Sequence, residues 1–277
     1  MNKIAIGISC WNRPEYFEKL LASLQANILD LENVDTHLFI DGDICLFTGE
    51  RRTEKELLYK NIQLFQNALI PNKFMHIRSL NVSVAINQYE MMQMLTSIYP
   101  QIIFLEDDVV VSPNFVAIMK NVLTQFENDD RVFSISPSFK LYCKKEETEL
   151  YRDAIKFAEG HFWAEAIWTK KWEKILPRFR EYIDIVNKKP YPQRDGGKIN
   201  ALFSKHGRAM SATSQDNAKD WAISLSGMKR ARLVVNRATG IGEHGMHATK
   251  EKLAKSGDGN NQIYVFEDDK KIKFRII

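Results

Sequence analysis

The sequence predicts an α/β protein built on a doubly wound, mainly parallel sheet flanked by helices. Two observations carry this reading. Four strand–helix units follow one another along the first half of the chain, the pattern of a parallel sheet with helical crossovers. Two of the strands also run straight into acids, Asp41-Gly42-Asp43 and Glu106-Asp107-Asp108, and in open α/β sheets ligands gather at the carboxyl ends of strands.

The elements follow in order. Lys3 to Ser9 is a β-rich run, and Pro14 then opens an amphipathic helix with Phe17, Leu20, Leu21 and Leu24 on one side. Thr36 to Ile40 is the second strand. Residues from about Glu50 to Leu69 read as a charged helix with Leu57, Leu58, Ile62 and Phe65 as its apolar positions. Lys73 to Ile77 is the third strand, Val84 to Ile98 a Met-rich helix, and Ile102 to Leu105 the fourth strand. Pro113 begins another helix, and Arg131 to Ser136 gives a further strand.

Beyond residue 138 the pattern loosens. Lys144 to Glu149 is a charge run suited to a solvated loop or helix face. The Trp-rich run from Phe162 to Trp172 reads as helical and residues 187–215 as a long loop. Arg232 to Asn236 is a short strand, and Ser256 to Asn261 links to a last strand at Ile263 to Phe266. No internal repeat and no linker divides the chain. The expectation is one catalytic domain over 1–277, with a nucleotide-sugar-binding half (1–137), a looser acceptor-side half (138–250) and a C-terminal extension (251–277).

With 277 residues, 44% hydrophobic and 27% charged, the chain can bury a sizeable core without disulfides or structural metals. Its formal charge of +4 is mild. Lys and Arg are interleaved with Asp and Glu, which argues against a nucleic-acid binder. Cys10, Cys45 and Cys143 lack metal-ligand spacing and cannot all pair, so they read as reduced core fillers of a cytoplasmic protein. No run approaches the roughly 20 apolar residues that cross a bilayer. Peripheral contact with the inner face of a membrane is compatible with the charge.

The acids after the fourth strand carry the chemistry. In an extended strand Glu106 and Asp108 share a face while Asp107 points elsewhere. Like charges held together repel, and a divalent cation such as Mg²⁺ or Mn²⁺ relieves that repulsion while bridging to a diphosphate. The competing reading is an acidic loop start that caps the helix after Pro113.

Ile102 to Val109 followed by Ser112-Pro113-Asn114-Phe115 resembles the Asp-x-Asp region of GT-A fold glycosyltransferases, and among these the N-acetylglucosaminyltransferase I-like enzymes and their bacterial relatives. Ser9-Cys10-Trp11-Asn12-Arg13-Pro14 is similar to the first-strand loop that holds the nucleotide. Asp41 stands where the family places an acid against the nucleobase, and Asn81, Ala85 and Asn87 where a related segment lines the donor site. Gly160 to Trp168, with Trp163 and Glu165, resembles the acceptor-side segment. Ser214-Gln215-Asp216 to Asp220-Trp221, then Asn236 and His247-Ala248-Thr249, resemble the closing part. Val82 and Ser83 replace glycines common in the family, and Lys219 replaces an aromatic before the acid.

The resemblance implies a nucleoside-diphosphate sugar donor, most simply a UDP-sugar, a glycan or lipid-linked acceptor, and a Mn²⁺ or Mg²⁺ cofactor. It implies Asp108 and His247 as metal ligands, with His244 able to substitute. Glu106 and Asp107 would meet ribose or sugar hydroxyls, and Asn12, Arg13 and Arg78 would serve the donor. Asp220 would be the base of an inverting displacement, with Asp216 as competitor and Trp221 stacked on a sugar. Of Trp163, Trp168 and Trp172, helical spacing assigns at least two to the core.

Two patterns are set aside. Gly240-Ile241-Gly242-Glu243-His244-Gly245 matches a dinucleotide fingerprint but lies too near the C-terminus to open a βαβ unit. Asn81-Val82-Ser83 is a sequon without meaning in a cytoplasmic protein. The rival functions are a sugar-nucleotide nucleotidyltransferase, for which no Gly-rich loop follows the first strand, and a non-catalytic nucleotide-sugar or carbohydrate-binding protein of the same fold.

Overall fold

The computed structural model describes residues 3–139, 141–158, 163–187, 189–243 and 262–277. In chain order these form β1 (Ile4–Cys10), α1 (Pro14–Gln25), β2 (Val34–Ile40), α2 (Lys55–Asn67), β3 (Lys73–Ile77), α3 (Val84–Thr96), β4 (Gln101–Glu106), β5 (Val109–Val111), α4 (Phe115–Gln125) and β6 (Val132–Ser136). Then follow β7 (Ala154–Phe157), β8 (Ala164–Trp168), α5 (Thr169–Val186), α6 (Gly196–Lys205), α7 (Gln215–Leu225), β9 (Lys229–Leu233), β10 (Ala238–Gly240) and β11 (Arg275–Ile276).

The described strands make one nine-stranded sheet, ordered β11-β7-β9-β6-β8-β4-β1-β2-β3, and a small antiparallel pair of β5 with β10. β3, β2, β1 and β4 are mutually parallel, the arrangement their alternation with helices predicts. β8 enters antiparallel between β4 and β6, so the sheet is mixed but mainly parallel.

Helices cover both faces because alternate side chains of a strand point to opposite sides. Ile4, Ile6 and Ile8 of β1 pack with Phe17 and Leu24 of α1, Phe65 of α2 and Phe115 of α4. Ala5, Ile102 and Phe104 pack on the other side with α3, α5, α6 and α7 through Met91, Trp172, Phe203 and Trp221. Buried on both faces, β1 reads as a near-continuous apolar run rather than an alternating one.

Several expectations are corrected here. The Trp-rich segment is not one helix: Ala164–Trp168 is a strand, and the helix begins only at Thr169. The pairing of β8 with both β4 and β6 overrides the helical spacing of its tryptophans, although Trp168 and Trp172 are core residues as that spacing also implies. Within 187–215 a helix forms over Gly196–Lys205, capped by Asp195, whose carboxylate accepts from the Lys198 N–H at 3.0 Å. The strand expected at Arg232 to Asn236 lies earlier, over Lys229–Leu233. Ile263 to Phe266 forms no strand, and the last strand is Arg275–Ile276.

β2 also carries a buried polar chain. Lys3 pairs with Asp35 at 2.6 Å, and the Tyr99 hydroxyl donates to Asp35 at 2.7 Å. His37 Nε2 lies 2.9 Å from that hydroxyl, and His37 Nδ1 lies 3.0 Å from His76 Nε2. Since Tyr99 donates to Asp35, it accepts from His37, whose Nδ1 then accepts from His76. His37 is therefore neutral. Burial, reinforced by His76, pushes its pKa down to about 4 from 6.5. Protonation is disfavoured in the folded chain and free in the unfolded one, so this stabilisation is complete above about pH 6.5 and is lost as pH falls towards 4. Urea midpoints at about pH 7 and about pH 4.5 are expected to fall on acidification, and to fall less in His37→Gln; equal acid sensitivity in both would remove His37 from this role.

Candidate active site

The carboxyl ends of β1, β2 and β4 meet in one crevice. β4 stops at Glu106, and Asp107 and Asp108 form a turn before β5. The expected sharing of a face by Glu106 and Asp108 therefore gives way to another arrangement. Arg13 reaches over from the loop after β1 and ties Asp107 and Asp108 together. Its Nη1 lies 2.8 Å from Asp108 Oδ2 and its Nη2 pairs with Asp107 Oδ1. The Trp11 N–H donates to Asp107 Oδ2 at 3.2 Å. Glu106 turns the other way, accepting from Gln88 of α3 at 3.0 Å.

Arg13 is placed by Pro14. A residue before proline is kept out of the helical region, and Arg13 takes φ −122° and ψ 66° as α1 begins. On the far side of the acids Gly242 abuts the Asp108 carboxylate, where an added Cβ would overlap it. The Ile241 N–H donates to the Asp108 carbonyl at 2.8 Å.

The charge balance is uneven. Burial pushes the Glu106 carboxyl well up, and Asp108, Asp216 and Asp107 push it further against the pull of Arg13. Burial likewise raises Asp107, partly opposed by Arg13. Burial disfavours the charged form of Arg13, but the acids outweigh it and hold the guanidinium charged more firmly than a free arginine. Arg13 thus pairs directly with two of the acids, Asp107 and Asp108, and acts on Glu106 at longer range.

The loops after β1, β2 and β3 are stitched together by backbone groups. Gly42 has no room for a side chain against the backbone of Leu80 and Asn81. Its carbonyl accepts from Trp11 Nε1 at 2.9 Å and from Asn81 Nδ2 at 3.2 Å. Asp41 is committed to the chain itself. Oδ1 accepts from the N–H groups of Gly42 and Val82, and Oδ2 from that of Ser83. Burial pushes its pKa up to about 6, opposed by these N–H groups and by Arg78. Asn12 donates to Thr53 at 3.0 Å, and Arg78 bridges Asn87 at 2.9 Å and Glu90 at 2.6 Å.

Below the acids a shallow cleft open to solvent lies between α3, α5 and α7, lined by Gln88, Tyr89, Phe104, Trp172, Asp216 and Lys219 among others. Asp216 faces this cleft and, as its effect on Glu106 shows, lies near the β4 acids. Asp220, one turn further on, pairs with the buried Arg230 at 3.2 Å. Burial raises its pKa against Arg230 and Lys219. Trp221 is fully buried, its ring 5.2 Å from Phe203 and 5.5 Å from His206, so the expected stacking on a sugar is corrected: it is a core residue. Glu165 is likewise fully buried and paired with Lys219, under the cleft rather than open on its acceptor side. Trp163 is half-buried, edge-on to Phe139 at 5.3 Å. His244 and His247 lie outside the described residues.

Sequence reasoning missed Gln88, Arg230 and Asn61. Asn61 is fully buried and donates to the Trp11 carbonyl at 2.7 Å. A signal existed, since it occupies an apolar phase of α2 between Leu58 and Phe65.

No family model and no curated protein matches this chain. Solved structures overlap it partially. A mannosyltransferase, PcManGT, from Pyrobaculum calidifontis in complex with GDP-Man and Mn²⁺ shares 6% identity over 74% of this chain and 51% of its own, with a TM-score of 0.43. A putative nucleotide-diphospho-sugar transferase from Desulfovibrio desulfuricans G20 shares 9% over 84% and 80%, at 0.42. The galactosyltransferase LgtC, with donor and acceptor sugar analogs, shares 12% over 81% and 72%, at 0.39. This chain thus spans about half the length of the mannosyltransferase. At such scores none of them fixes an activity.

Asp41→Asn is expected to leave at least one backbone N–H near Val82 without its acceptor and to cost about 1–3 kcal/mol. Denaturant titration reads this directly, and an unchanged midpoint would show that the loop does not depend on the carboxylate.

Proposed function

We propose that this chain is a GT-A type, metal-dependent glycosyltransferase that moves a sugar from a nucleoside-diphosphate sugar to an acceptor hydroxyl, with inversion, in bacterial glycan assembly. One observation carries the reading: the acids closing β4 lie at the carboxyl ends of parallel strands, beside a cleft that presents a further carboxylate, Asp216. The sequence resemblance places the donor and acceptor at this crevice.

The donor chemistry fits a hard divalent cation, since the cluster offers only oxygen ligands and carries excess negative charge. Among the described residues no three His, Cys, Asp or Glu side chains converge on a common ion position. The protein's share would therefore be Asp108 and, as the resemblance implies, His247, with phosphate oxygens completing the shell. Bound there, Mn²⁺ or Mg²⁺ supplies Lewis acidity to the departing diphosphate.

The chain's own groups do the rest. Arg13, at the N-terminus of α1, offers a guanidinium to phosphate once a cation takes over Asp108. Asp41 acts by holding the loop that carries Asn81, while Asn12, Arg78 and Asn87 order the neighbouring donor wall. Glu106 and Asp107 bracket the sugar and ribose. Asp216 is preferred to Asp220 as base because Asp216 lines the cleft and Asp220 does not. A base takes the acceptor proton as the acceptor oxygen attacks C1. Lys219 and Glu165 fix the floor from which Asp216 projects.

Arg13 already supplies a cation to Asp107 and Asp108, which favours a second reading: a non-catalytic, metal-independent nucleotide-sugar-binding protein. Thermal shifts with a panel of nucleoside diphosphates, with Mn²⁺ or EDTA, separate the two. The enzyme is expected to be stabilised only with metal, to release nucleoside diphosphate on adding acceptor, and to lose the metal-dependent shift in Asp108→Asn. Binding that persists in EDTA without turnover would leave the second reading. Asp216→Asn is expected to keep the donor shift and reduce transfer on the order of 10²-fold or more; the same result in Asp220→Asn instead would reverse the assignment.

A further inference from the structure

Among the described residues no element covers the outer edge of the sheet at β3, and the strand carries none of the usual protection. Natural edges are kept from pairing by charge, brevity or irregularity. The opposite edge obeys this rule, since β11 is only Arg275–Ile276 and carries a charged Arg275. β3 does not. Its five residues, Lys73-Phe74-Met75-His76-Ile77, pair with β2 without a bulge. Phe74 is 44% exposed, Met75 36% and Ile77 54%.

The single lysine, which would ordinarily guard such an edge, is withdrawn. Lys73 Nζ donates to the carbonyls of Phe65, Gln66 and Ala68 at 2.9, 2.6 and 2.7 Å, capping the C-terminus of α2. Arg78, just beyond the strand, is tied to Glu90 and Asn87. No unengaged charge of β3 stands on the seam.

The backbone register says which groups face outward. The Thr36 N–H donates to the Asn72 carbonyl at 2.9 Å and the Arg78 N–H to the Ile40 carbonyl at 3.0 Å. Even-numbered residues therefore bond β2, and the N–H and C=O groups of Lys73, Met75 and Ile77 point away from the sheet. An antiparallel two-fold partner centred on Met75 would place Met75 opposite Met75, Lys73 opposite Ile77 and Phe74 opposite His76. The outward-pointing residues would then fall on hydrogen-bonded pairs. Phe74 and His76 would fall on the closer, non-hydrogen-bonded pairs.

That last pairing repeats one the molecule already makes. Across β2 and β3, Phe39 faces His76 with ring centroids 4.2 Å apart, and His37 faces Phe74 at 4.7 Å. A second copy would extend the same aromatic–imidazole ladder. On the opposite face it would bring Met75 and Ile77 into apolar contact.

We propose that β3 is a homodimer interface, in which two copies of this chain pair antiparallel through Lys73–Ile77 about a two-fold axis at Met75. The interface is isologous, as a two-fold requires, because the strand is complementary to its own reverse.

Sedimentation velocity over a concentration series tests this on the full chain. The wild type is expected to move from monomer to dimer mass as concentration rises. Met75→Lys, which sets two ammonium groups against each other at the axis, is expected to stay monomeric with an unchanged melting temperature. Met75→Cys under mild oxidation is expected to give a disulfide-linked dimer, because directly opposed strand positions lie within disulfide reach. Leu150→Cys, on an exposed site away from β3, should not cross-link. A wild type that remains monomeric throughout overturns the proposal, as does a dimer that survives Met75→Lys while Met75→Cys fails to cross-link. Should Met75→Lys fail to fold, the cysteine variant decides.

Discussion

The crevice depends on one guanidinium. Arg13 is the cation that holds Asp107 and Asp108 side by side in a largely buried setting, where two carboxylates alone would repel. At an effective dielectric near 20, a pair of opposite charges about 4 Å apart gains roughly 4 kcal/mol, and desolvation takes much of that back. The arrangement persists because the position of Arg13 is set by the main chain rather than chosen by the side chain. Pro14 fixes the start of α1, α1 packs on β1 through Phe17 and Leu20, and β1 pairs with β4 in register from Ile4 to Ser9. The sheet therefore delivers the arginine and the acids to one place from residues more than ninety positions apart.

A second ion cluster sits beneath the cleft and shapes it differently. β8, the antiparallel insertion, brings Glu165 under α7. There burial would raise the carboxyl, but Lys219 and Arg230 outweigh it and hold Glu165 low. Arg230 also engages Asp220. Lysine at 219 is thus a partner for the acid on the neighbouring strand, which explains in charge terms the departure from the aromatic that the resembling family places there. Asp216, in the first turn of α7, is the carboxylate of that helix that lines the cleft.

The first half of the chain was legible because its signals are local. Lys73–Ile77 is a strand as read, Val84 begins the third helix as read, and Pro14 opens the first. The acids at the end of β4 were found for the same reason, since an apolar strand running into charge marks a sheet's functional end. What escaped were features set by distant partners. Trp163 to Trp172 has helical spacing, yet Ala164–Trp168 became a strand because two neighbouring strands needed an antiparallel filler between them. The turn at Asp107, which changes which acids face each other, follows from the β5–β10 pairing and the contact with Gly242. Neither partner is near in sequence. Trp221 beside Asp220 looked like a sugar platform, but helical geometry sends adjacent residues to different faces, and the face of Trp221 is the core.

The same logic separates the two candidate bases. Asp216 and Asp220 are four residues apart, so they lie on one face of α7 a single turn, about 5.4 Å, from each other. Asp216 is near enough to raise the proton affinity of Asp220, and the sequence resemblance favoured Asp220 with Asp216 as competitor. What distinguishes them is the third dimension. The turn nearer the helix N-terminus projects over Phe104 and Gln88 into open space beside Glu106, while the next turn lies over β9 and meets Arg230. Burial raises the proton affinity of Asp220 even against Arg230, so position rather than proton affinity separates the two. Position along a helix relative to the sheet edge, rather than residue type, decides which of two like acids faces the cleft.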